Sequence, residues 1–436
     1  MNTELEARQR AHIMYTWSAQ SRATPLPIAG GKGATFTDHE GNRWLDFESQ
    51  VFNCNAGHGE TRIIRAMQAQ LESLACAHPA AVYEAKAALG ERLASVTPEG
   101  IDRFFLCLSG AEANENAIKI ARAVTGRTKV VARRRSYHGA SMGALSLTGD
   151  PRRRAGEPGL WGVVRIEDPY CFRCPFETTP DRCGVLCARH LEHVVQLEGP
   201  ETIAAVFLEG ITGANGGFVP PADYWPTMRK ICDKYGILLV ADEVFTGFGR
   251  TGRYFAVDHF GVTPDLITLA KGLTSGYAPL GAVGMTERVA EHFDTSTLQC
   301  GLTGYAMPVS VAAAVATLDV YREDRLVERA AERGQELAAG LWRLKARHPA
   351  IGDARSLGLF GTIELVTPDG RPLVAYDTVA PKDSPAGRLK EALVRRRVHA
   401  AFRWSFLMIA PPLCITSEEL AEGLDHLDAA LTEVGL

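Results

Sequence analysis

Five short apolar runs alternate with helical segments in the middle of the 436-residue chain. Almost every residue in these runs is apolar, as expected of strands that are covered on both faces of a sheet. Strands that alternate with helices are typical of an α/β fold with a mostly parallel sheet. The five predicted strands are residues 104–108, 130–132, 203–208, 237–241 and 266–269.

The composition excludes three classes of protein. Hydrophobic residues make up 46% of the chain and charged residues 22%, so the chain lacks the low hydrophobicity of a disordered protein. Its formal net charge of −4 lacks the basic excess of a nucleic-acid binder. No apolar run approaches the roughly 20 residues that a membrane span requires. The N-terminal segment also lacks the apolar region of a secretion signal, so we expect a cytoplasmic protein.

The two ends of the chain differ from its centre. Residues 1–55 contain short alternating segments with turn signals, and the chain from residue 310 onward is rich in predicted helices. Because 436 residues are too many for one compact core, we predict a large α/β domain over residues 56–309. A smaller α+β domain would combine residues 1–55, which include an N-terminal arm, with residues 310–436. The predicted helices are residues 309–321, 326–347, 385–396 and 418–431.

A helix is predicted directly after the first strand, and its start could bind an anion. Ser109 can cap this helix, and Glu112 three residues later would complete a capping box. Gly110 allows backbone N–H groups to approach a ligand closely, and the N-terminus of a helix attracts anions. A phosphate site and a helix that is merely capped are both consistent with this segment.

Two ionisable residues follow the last two predicted strands. Asp242 comes after the run 237–241, and Lys271 comes after the run 266–269. The carboxyl ends of strands in an open α/β sheet face the ligand crevice, so both side chains are expected there. A partly desolvated lysine has a lowered pKa and can form a Schiff base. A lone lysine is usually a solvated surface residue, but its pairing with Asp242 favours the functional interpretation.

Several separated motifs give the chain a resemblance to a known family. The motifs are Ser109-Gly110-Ala111-Glu112-Ala113-Asn114, Tyr137-His138-Gly139, Ala241-Asp242-Glu243-Val244, Thr246-Gly247-Phe248-Gly249-Arg250-Thr251-Gly252 and Ala270-Lys271-Gly272. In order and spacing they resemble those of the class III, or ω-amino acid type, aminotransferases, over most of the chain. The resemblance implies fold type I of the pyridoxal-phosphate-dependent transferases, with a mostly parallel seven-stranded sheet.

The resemblance also implies roles for individual residues toward pyridoxal 5'-phosphate. Lys271 would hold the cofactor as a Schiff base and later move a proton between substrate atoms. Asp242 would pair with the pyridine nitrogen and keep it protonated; with Tyr137, these two residues form the predicted catalytic set. Thr303 would reach the phosphate of a partner subunit, which implies a homodimer or a dimer of dimers. The other predicted contacts are Ser109, Gly110 and Ala111 at the phosphate, Tyr137 and Val244 on the two ring faces, and His138 and Glu209 beside them.

The predicted substrate pocket is most similar to that of the taurine, β-alanine and amine–pyruvate aminotransferases. Phe52 stands near the residue that gates the pocket in this subgroup, and Ala214 matches a small residue beneath the cofactor. Arg403 stands near an arginine that pairs with a substrate carboxylate, a role that suits a bidentate guanidinium, or it is a surface arginine. Tyr15 and Trp17 either line the pocket entrance or only anchor the N-terminal arm.

These features together predict a transaminase. It would move the amino group of an ω-amino acid or primary amine, such as taurine or β-alanine, to a 2-oxo acid, with pyruvate favoured over 2-oxoglutarate. A racemase, decarboxylase or lyase with the same cofactor is the first alternative, because all of these reactions use the same electron sink. A zinc-binding interaction protein is a remote second alternative.

Two further clusters lie outside the predicted site. Four neighbouring cysteines could hold a structural zinc, form a disulfide or remain free thiols, and no catalytic metal is expected. The arginine runs 133–135 and 152–154 could contact an anionic partner, but they are predicted to lie on solvated faces or in loops. The four cysteines are Cys171, Cys174, Cys183 and Cys187.

Overall fold

The computed structural model describes residues 3–436, and its strands fall into three groups along the chain. The first group is β1 (Gly30–Lys32), β2 (Thr35–Thr37) and β3 (Arg43–Asp46). The second group is β4 (Ile101–Cys107), β5 (Lys129–Arg133), β6 (Val163–Ile166), β7 (Ile203–Glu209), β8 (Leu238–Asp242), β9 (Leu266–Leu269) and β10 (Gly281–Thr286). The third group is β11 (Ile351–Leu357), β12 (Phe360–Leu365), β13 (Val398–His399), β14 (Ala401–Arg403) and β15 (Phe406–Ile409).

Helices connect and cover these strands, and within residues 3–436 none is long and apolar enough to cross a membrane. The four predicted C-terminal helices are present as α11 to α14. The helices are α1 (Thr3–His12), α2 (Ser49–Phe52), α3 (Thr61–Ser73), α4 (Glu84–Val96), α5 (Gly110–Thr125), α6 (Met142–Leu147), α7 (Leu186–Glu198), α8 (Tyr224–Tyr235), α9 (Glu287–Ala290), α10 (His292–Thr295), α11 (Pro308–Glu323), α12 (Leu326–Arg347), α13 (Pro385–Arg395) and α14 (Ser417–Val434).

The seven strands of the second group form one sheet, which confirms the predicted α/β fold. Five of these strands, β4, β5, β7, β8 and β9, correspond to the five apolar runs of the sequence. The sheet order is β4-β10-β9-β8-β7-β5-β6, and each neighbouring pair is parallel except the two pairs that β10 makes. Strands β6 and β10 are not among the predicted strands, because β6 contains an arginine and is only partly buried, and β10 contains two glycines.

The carboxyl ends of the central strands bring the predicted site residues to one edge of this sheet. Glu209 and Asp242, the last residues of β7 and β8, lie opposite each other in the parallel register. Asp242 in turn lies opposite Thr268 of β9, which precedes Lys271 by three residues. This edge is the place where open α/β sheets bind their ligands.

A small sheet joins the two ends of the chain. Strand β13 pairs in parallel with β3, placing Val398 opposite Leu45, and β2 and β1 complete the four-stranded sheet. A third sheet, in the order β11-β12-β15-β14, is antiparallel. Strands from both chain ends therefore share one sheet, while the predicted domain boundaries after residues 55 and 309 stay predictions.

Helix α2 is a single left-handed turn that contains no glycine. All four of its φ angles lie between 49° and 64°, a region that costs an ordinary residue about 1–2 kcal/mol. Hydrogen bonds to both chain ends hold the turn in place. Gln50 Nε2 donates to Asp46 Oδ2 at 3.0 Å, and Ser49 Oγ donates to the carbonyl oxygen of Ala410 at 2.5 Å.

The turn between β11 and β12 gives a test of this packing. Gly358 has a φ of +55°, and an added Cβ would overlap the carbonyl carbon of Thr251 and lie 2.5 Å from the nitrogen of Gly252. We expect Gly358→Ala to lower the free energy of unfolding by about 1–3 kcal/mol for the collision, in addition to the strain of a positive φ. The midpoint of thermal unfolding, followed by circular dichroism, measures this loss.

Gly370→Ala is the matched control for this experiment. Gly370 also has a positive φ, of +78°, but no heavy atom lies within 4 Å of its added Cβ. The control therefore carries the backbone strain without the collision, and it should unfold at a clearly higher temperature than Gly358→Ala. Equal midpoints for the two variants would show that the close approach to Gly252 is unimportant.

Candidate active site

Lys271 lies just beyond the end of β9, in a left-handed conformation with a φ of +45°. Its Nζ is 5.2 Å from the ring centre of Phe245 and 5.8 Å from that of Phe52. Burial lowers the pKa of Lys271 to about 8, although the nearby carboxylates of Asp242 and Glu209 act in the opposite direction. Near physiological pH, Lys271 is therefore neutral in a larger fraction of the molecules than an ordinary lysine is. The neutral amine can act as a nucleophile or base.

Three donors fix the carboxylate of Asp242. Its Oδ2 accepts hydrogen bonds from Asn114 Nδ2 at 2.9 Å and from His138 Nδ1 at 2.6 Å, and its Oδ1 accepts the backbone N–H of Val244 at 3.0 Å. The amide of Asn114 is itself oriented, because its oxygen accepts the hydroxyl of Thr268 at 3.0 Å. The sequence motif contained Asn114, but the sequence analysis gave this residue no role.

A second buried layer lies next to His138. The Nε2 atom of His138 has no hydrogen-bond partner among the described residues. Burial raises the pKa of the neighbouring Glu209 to about 7, while Arg133 opposes this change. Arg133 Nη2 donates to the backbone oxygen of Glu209 at 3.0 Å. Because Arg133 is fully buried, the prediction that the run 133–135 is solvated is wrong at its first residue.

The start of α5 has the properties of a phosphate site. Ser109 caps the helix and accepts the N–H of Glu112 at 3.2 Å. The predicted capping box does not form, because Glu112 Oε2 accepts the N–H of Leu108 at 2.7 Å and not that of Ser109. The N–H groups of Gly110 and Ala111 have no acceptor among the described residues, as is usual for the first turn of a helix.

Close packing positions this helix start beside Asp242. A Cβ added to Gly110 would lie 2.7 Å from Cγ1 of Val244. A Cβ added to Gly139 would lie 2.6 Å from the Cβ of Ala111. Glycine at both positions lets the loop that carries His138 and the segment that carries Val244 approach the two free N–H groups.

Two arginines lie beside Tyr137. The guanidinium of Arg152 lies 3.7 Å from the ring centre of Tyr137 and 5.5 Å from that of Trp17. The fully buried carboxylate of Asp150 binds Arg152 Nη2 at 2.5 Å and Arg403 Nη2 at 3.4 Å. The side chain of Arg152 is thus only 18% exposed, and its predicted place on a solvated face is wrong. The sequence signal that could have identified the buried contact of Arg152 is Asp150, two residues before it.

The remaining predicted site residues are less closely connected. The ring of Phe52 lies 4.7 Å from that of Phe245, and Ala214 follows Gly213, whose added Cβ would touch the same Phe245 ring. Tyr15 is held by Gln20 within the N-terminal arm. Thr303 is exposed in a turn before α11. None of the contacts described for residues 3–436 joins Tyr15 or Thr303 to Lys271, and the roles of these residues stay predictions.

The four neighbouring cysteines line one small surface cavity next to Tyr170. All of the cysteines are free thiols. Within residues 3–436, no group of three or more histidine, cysteine or acidic side chains is placed so as to hold a metal ion. The zinc, disulfide and free-thiol interpretations of this cluster stay predictions.

The residues at the sheet edge fit pyridoxal 5'-phosphate. A lysine that is neutral near pH 8 suits the aldehyde, and a carboxylate fixed by three donors suits the pyridine nitrogen. The two N–H groups at the start of α5 suit the phosphate. The charges and donors present therefore match the three polar ends of the cofactor.

The lowered pKa of Lys271 gives a pH-dependent prediction for the cofactor-free protein. Because only the neutral amine attacks an aldehyde, the rate of cofactor incorporation should rise about tenfold per pH unit below pH 8. It should then level off above that value, since burial lowers the pKa to about 8. Stopped-flow absorption at the visible band of the bound cofactor measures this rate. Lys271→Ala should show no such band, and a rate that still rises steeply between pH 8 and 10 would contradict the prediction.

Comparisons with known proteins agree with this geometry. The family description "Aminotransferase class-III" matches residues 16–431. A taurine–pyruvate aminotransferase from Bilophila wadsworthia is 34% identical, over 99% of this chain and 97% of the relative. A leucine/methionine racemase from Thermococcus litoralis is 36% identical, over 95% of this chain and 93% of the relative.

A solved structure shows the same fold and the same cofactor. The taurine:2-oxoglutarate aminotransferase from Bifidobacterium kashiwanohense, in complex with pyridoxal phosphate and glutamate, superposes with a TM-score of 0.94. It is 35% identical, and the match covers 99% of this chain and 97% of that chain. The chain therefore belongs to the class III aminotransferases and uses pyridoxal 5'-phosphate.

Proposed function

We propose that the protein transfers the amino group of an ω-amino acid with a terminal acid group, such as taurine or β-alanine, to a 2-oxo acid, with pyruvate favoured. One observation carries this proposal. The guanidinium groups of Arg152 and Arg403 share the single carboxylate of Asp150 next to Tyr137.

The charge balance of this group favours an acidic substrate. Two cations share one anion, so the group has a net charge of about +1 before a substrate binds. Burial and the nearby Arg152 lower the pKa of Arg403, which shows that its charge is only partly compensated. A carboxylate or sulfonate would supply the missing negative charge through charge-assisted hydrogen bonds, each stabilised by roughly 1.5–3 kcal/mol.

The residues at the sheet edge support the transamination chemistry. When bound, pyridoxal phosphate supplies an electron sink for the charge that remains after the substrate carbon loses a proton. Lys271, neutral in about half of the molecules at pH 8, would take this proton and return it to a neighbouring atom. Asp242, held by three donors, would keep a proton on the ring nitrogen. Tyr137 would bind one face of the ring.

We also propose an oligomeric state and a cellular location for the protein. Thr303 lies exposed in its turn, which leaves it available to a partner subunit, so we propose a homodimer or a dimer of dimers in which it approaches the partner's cofactor. We propose a cytoplasmic location, as the sequence analysis expects. Two similar proteins, a taurine–pyruvate and a taurine:2-oxoglutarate aminotransferase, support the donor class.

A racemase is the second candidate function. It is favoured by the leucine/methionine racemase from Thermococcus litoralis, which is 36% identical to this chain. A racemase returns the proton to the same carbon and consumes no 2-oxo acid. Dependence of the reaction on a 2-oxo acid therefore separates the two candidates.

A donor panel tests the proposed function. The holoenzyme would be given pyruvate and, in turn, taurine, β-alanine, 4-aminobutyrate or 1-phenylethylamine, and alanine formation would be followed by chromatography. We expect taurine, β-alanine and 4-aminobutyrate to have higher kcat/KM values than 1-phenylethylamine, because Arg152 and Arg403 bind their acid groups. Inversion of an α-amino acid without any 2-oxo acid, together with no alanine from the panel, would favour the racemase.

Arg152→Ala tests the acid-binding role directly. Loss of one charge-assisted contact of roughly 1.5–3 kcal/mol should lower kcat/KM for taurine about 10- to 100-fold. The value for 1-phenylethylamine, which has no acid group, should change less than threefold. Arg153→Ala is the matched control, because Arg153 is bound to the surface residue Glu157 at 2.9 Å. Equal losses for both donors would contradict the assignment.

A further inference from the structure

Arg135 carries a half-buried guanidinium that lies between aromatic rings. It lies 4.3 Å from the ring centre of Tyr376, 5.2 Å from that of Tyr170 and 5.9 Å from that of Phe218. Its side chain makes no hydrogen bond or ion pair with any residue in 3–436, although its backbone N–H donates to Asp168 at 3.0 Å. A cation that is partly removed from water without an anionic partner is unusual.

A second arginine contacts two of the same rings, and it has the hydrogen-bond acceptors that the Arg135 side chain lacks. Arg355 lies 5.7 Å from the ring centre of Tyr170 and 5.2 Å from that of Phe218. Its guanidinium is fully supplied with acceptors, which are the carboxylates of Asp353 and Glu364 and the backbone oxygen of Gly216. The rings thus contact two cations, of which one is neutralised and the other, at position 135, is not.

The carboxylates near Arg135 are already engaged. Asp168 accepts the backbone N–H of Arg135, and Glu167 binds Arg134 at 2.6 Å. Glu364 is bound by two other arginines, at 2.8 Å and 3.2 Å. The charge of Asp168 acts on Arg135, but no carboxylate among the described residues accepts a hydrogen bond from its guanidinium, whose N–H groups are therefore available to an external anion.

Aromatic rings connect this guanidinium to the acid-binding pair of the proposed function. The ring of Tyr376 lies 4.3 Å from that of Trp404, and the guanidinium of Arg403 lies 4.2 Å from the same Trp404 ring. Arg135 and Arg403 are therefore connected through two tilted rings that contact each other. Besides burial, the charges of Arg135, Asp150 and Arg403 all influence the pKa of Tyr376, so this residue lies near both Arg135 and the acid-binding pair.

We propose that Arg135 forms a second anion subsite, which binds the far acid group of a substrate that carries two. Resting on the proposed function, this inference extends it to 2-oxo dicarboxylic acids as acceptors. The near carboxylate binds Arg152 and Arg403, and the far carboxylate binds Arg135, whose planar fork suits bidentate contact. Tyr376, Tyr170 and Phe218 hold the guanidinium in position through cation–π contacts.

Steady-state kinetics with a series of acceptors test the subsite. Pyruvate, oxaloacetate, 2-oxoglutarate and 2-oxoadipate differ in whether a second carboxylate is present and how far it reaches. We expect Arg135→Ala to lower kcat/KM for at least one of the dicarboxylic acceptors tenfold or more, and that for pyruvate less than threefold. Arg134→Ala is the matched control, because this neighbouring arginine is exposed and bound to Glu167, and it should change neither value more than threefold.

Equilibrium binding separates this inference from the proposed function. Isothermal titration of the holoenzyme with glutarate and with butyrate compares two ligands of similar length that differ in one carboxylate. Glutarate should bind wild type at least fivefold more tightly than butyrate, and Arg135→Ala should abolish the difference while Arg134→Ala keeps it. This readout needs no turnover, so it stays informative if the donor panel fails.

Three results would overturn the subsite. The first is equal binding of glutarate and butyrate to wild type. The second is an equal loss with pyruvate and the dicarboxylic acceptors in Arg135→Ala, which would show a structural role. The third is a glutarate preference that Arg135→Ala retains. The thermal unfolding midpoint and the cofactor absorbance of each variant show that it is folded and loaded, and Arg135→Lys, which keeps the charge, should retain part of the preference.

Discussion

The carboxylate of Asp242 is the group on which the arrangement of the site depends. Its three donors come from three different parts of the chain: Asn114 from helix α5, His138 from the loop after β5, and Val244 from the turn after β8. The same contacts therefore hold the carboxylate in place and bring the start of α5 close to the loop that carries His138. A buried carboxylate without such donors would be strongly destabilising, so the local folds of these segments and the position of the Asp242 carboxylate depend on one another.

Arg250 connects this site to the part of the structure formed by the chain ends. It is fully buried and donates only to neutral acceptors, among them the backbone oxygens of Leu359 and Pro411 and the side chains of Ser49 and Asn55. Burial lowers its pKa to about 10, although the nearby carboxylate of Asp46 acts in the opposite direction. The four acceptors belong to distant segments of the chain. This single guanidinium therefore joins the motif 246–252, which contains Arg250, to the left-handed turn at Ser49 and to the third sheet at Leu359.

Much of this architecture could be predicted from local patterns, and the failures have physical causes. Five strands with continuous apolar runs were predictable because both of their faces are covered, and Lys271 and Asp242 were predictable because they follow such strands. Strand β10 was missed because close contacts require its glycines; a Cβ at Gly284 would lie 2.7 Å from Ile267. Arg133 is buried beside Glu209, which is distant in the sequence, and Arg152 is held against the ring of Tyr137 by Asp150. A run of arginines looks solvated until those partners are known.

The left-handed turn that carries Phe52 has a consequence for how the pocket can vary. The direction in which a side chain leaves the backbone depends on the backbone φ angle. Phe52 has a positive φ, so its side chain leaves in a different direction from that of a residue on a right-handed turn or a strand. The direction in which residue 52 points is thus determined by hydrogen bonds that Gln50 and Ser49 donate to Asp46 and Ala410, and the size of its side chain is determined separately. Single substitutions at this position can therefore change the width of the predicted pocket while the path of the chain stays the same.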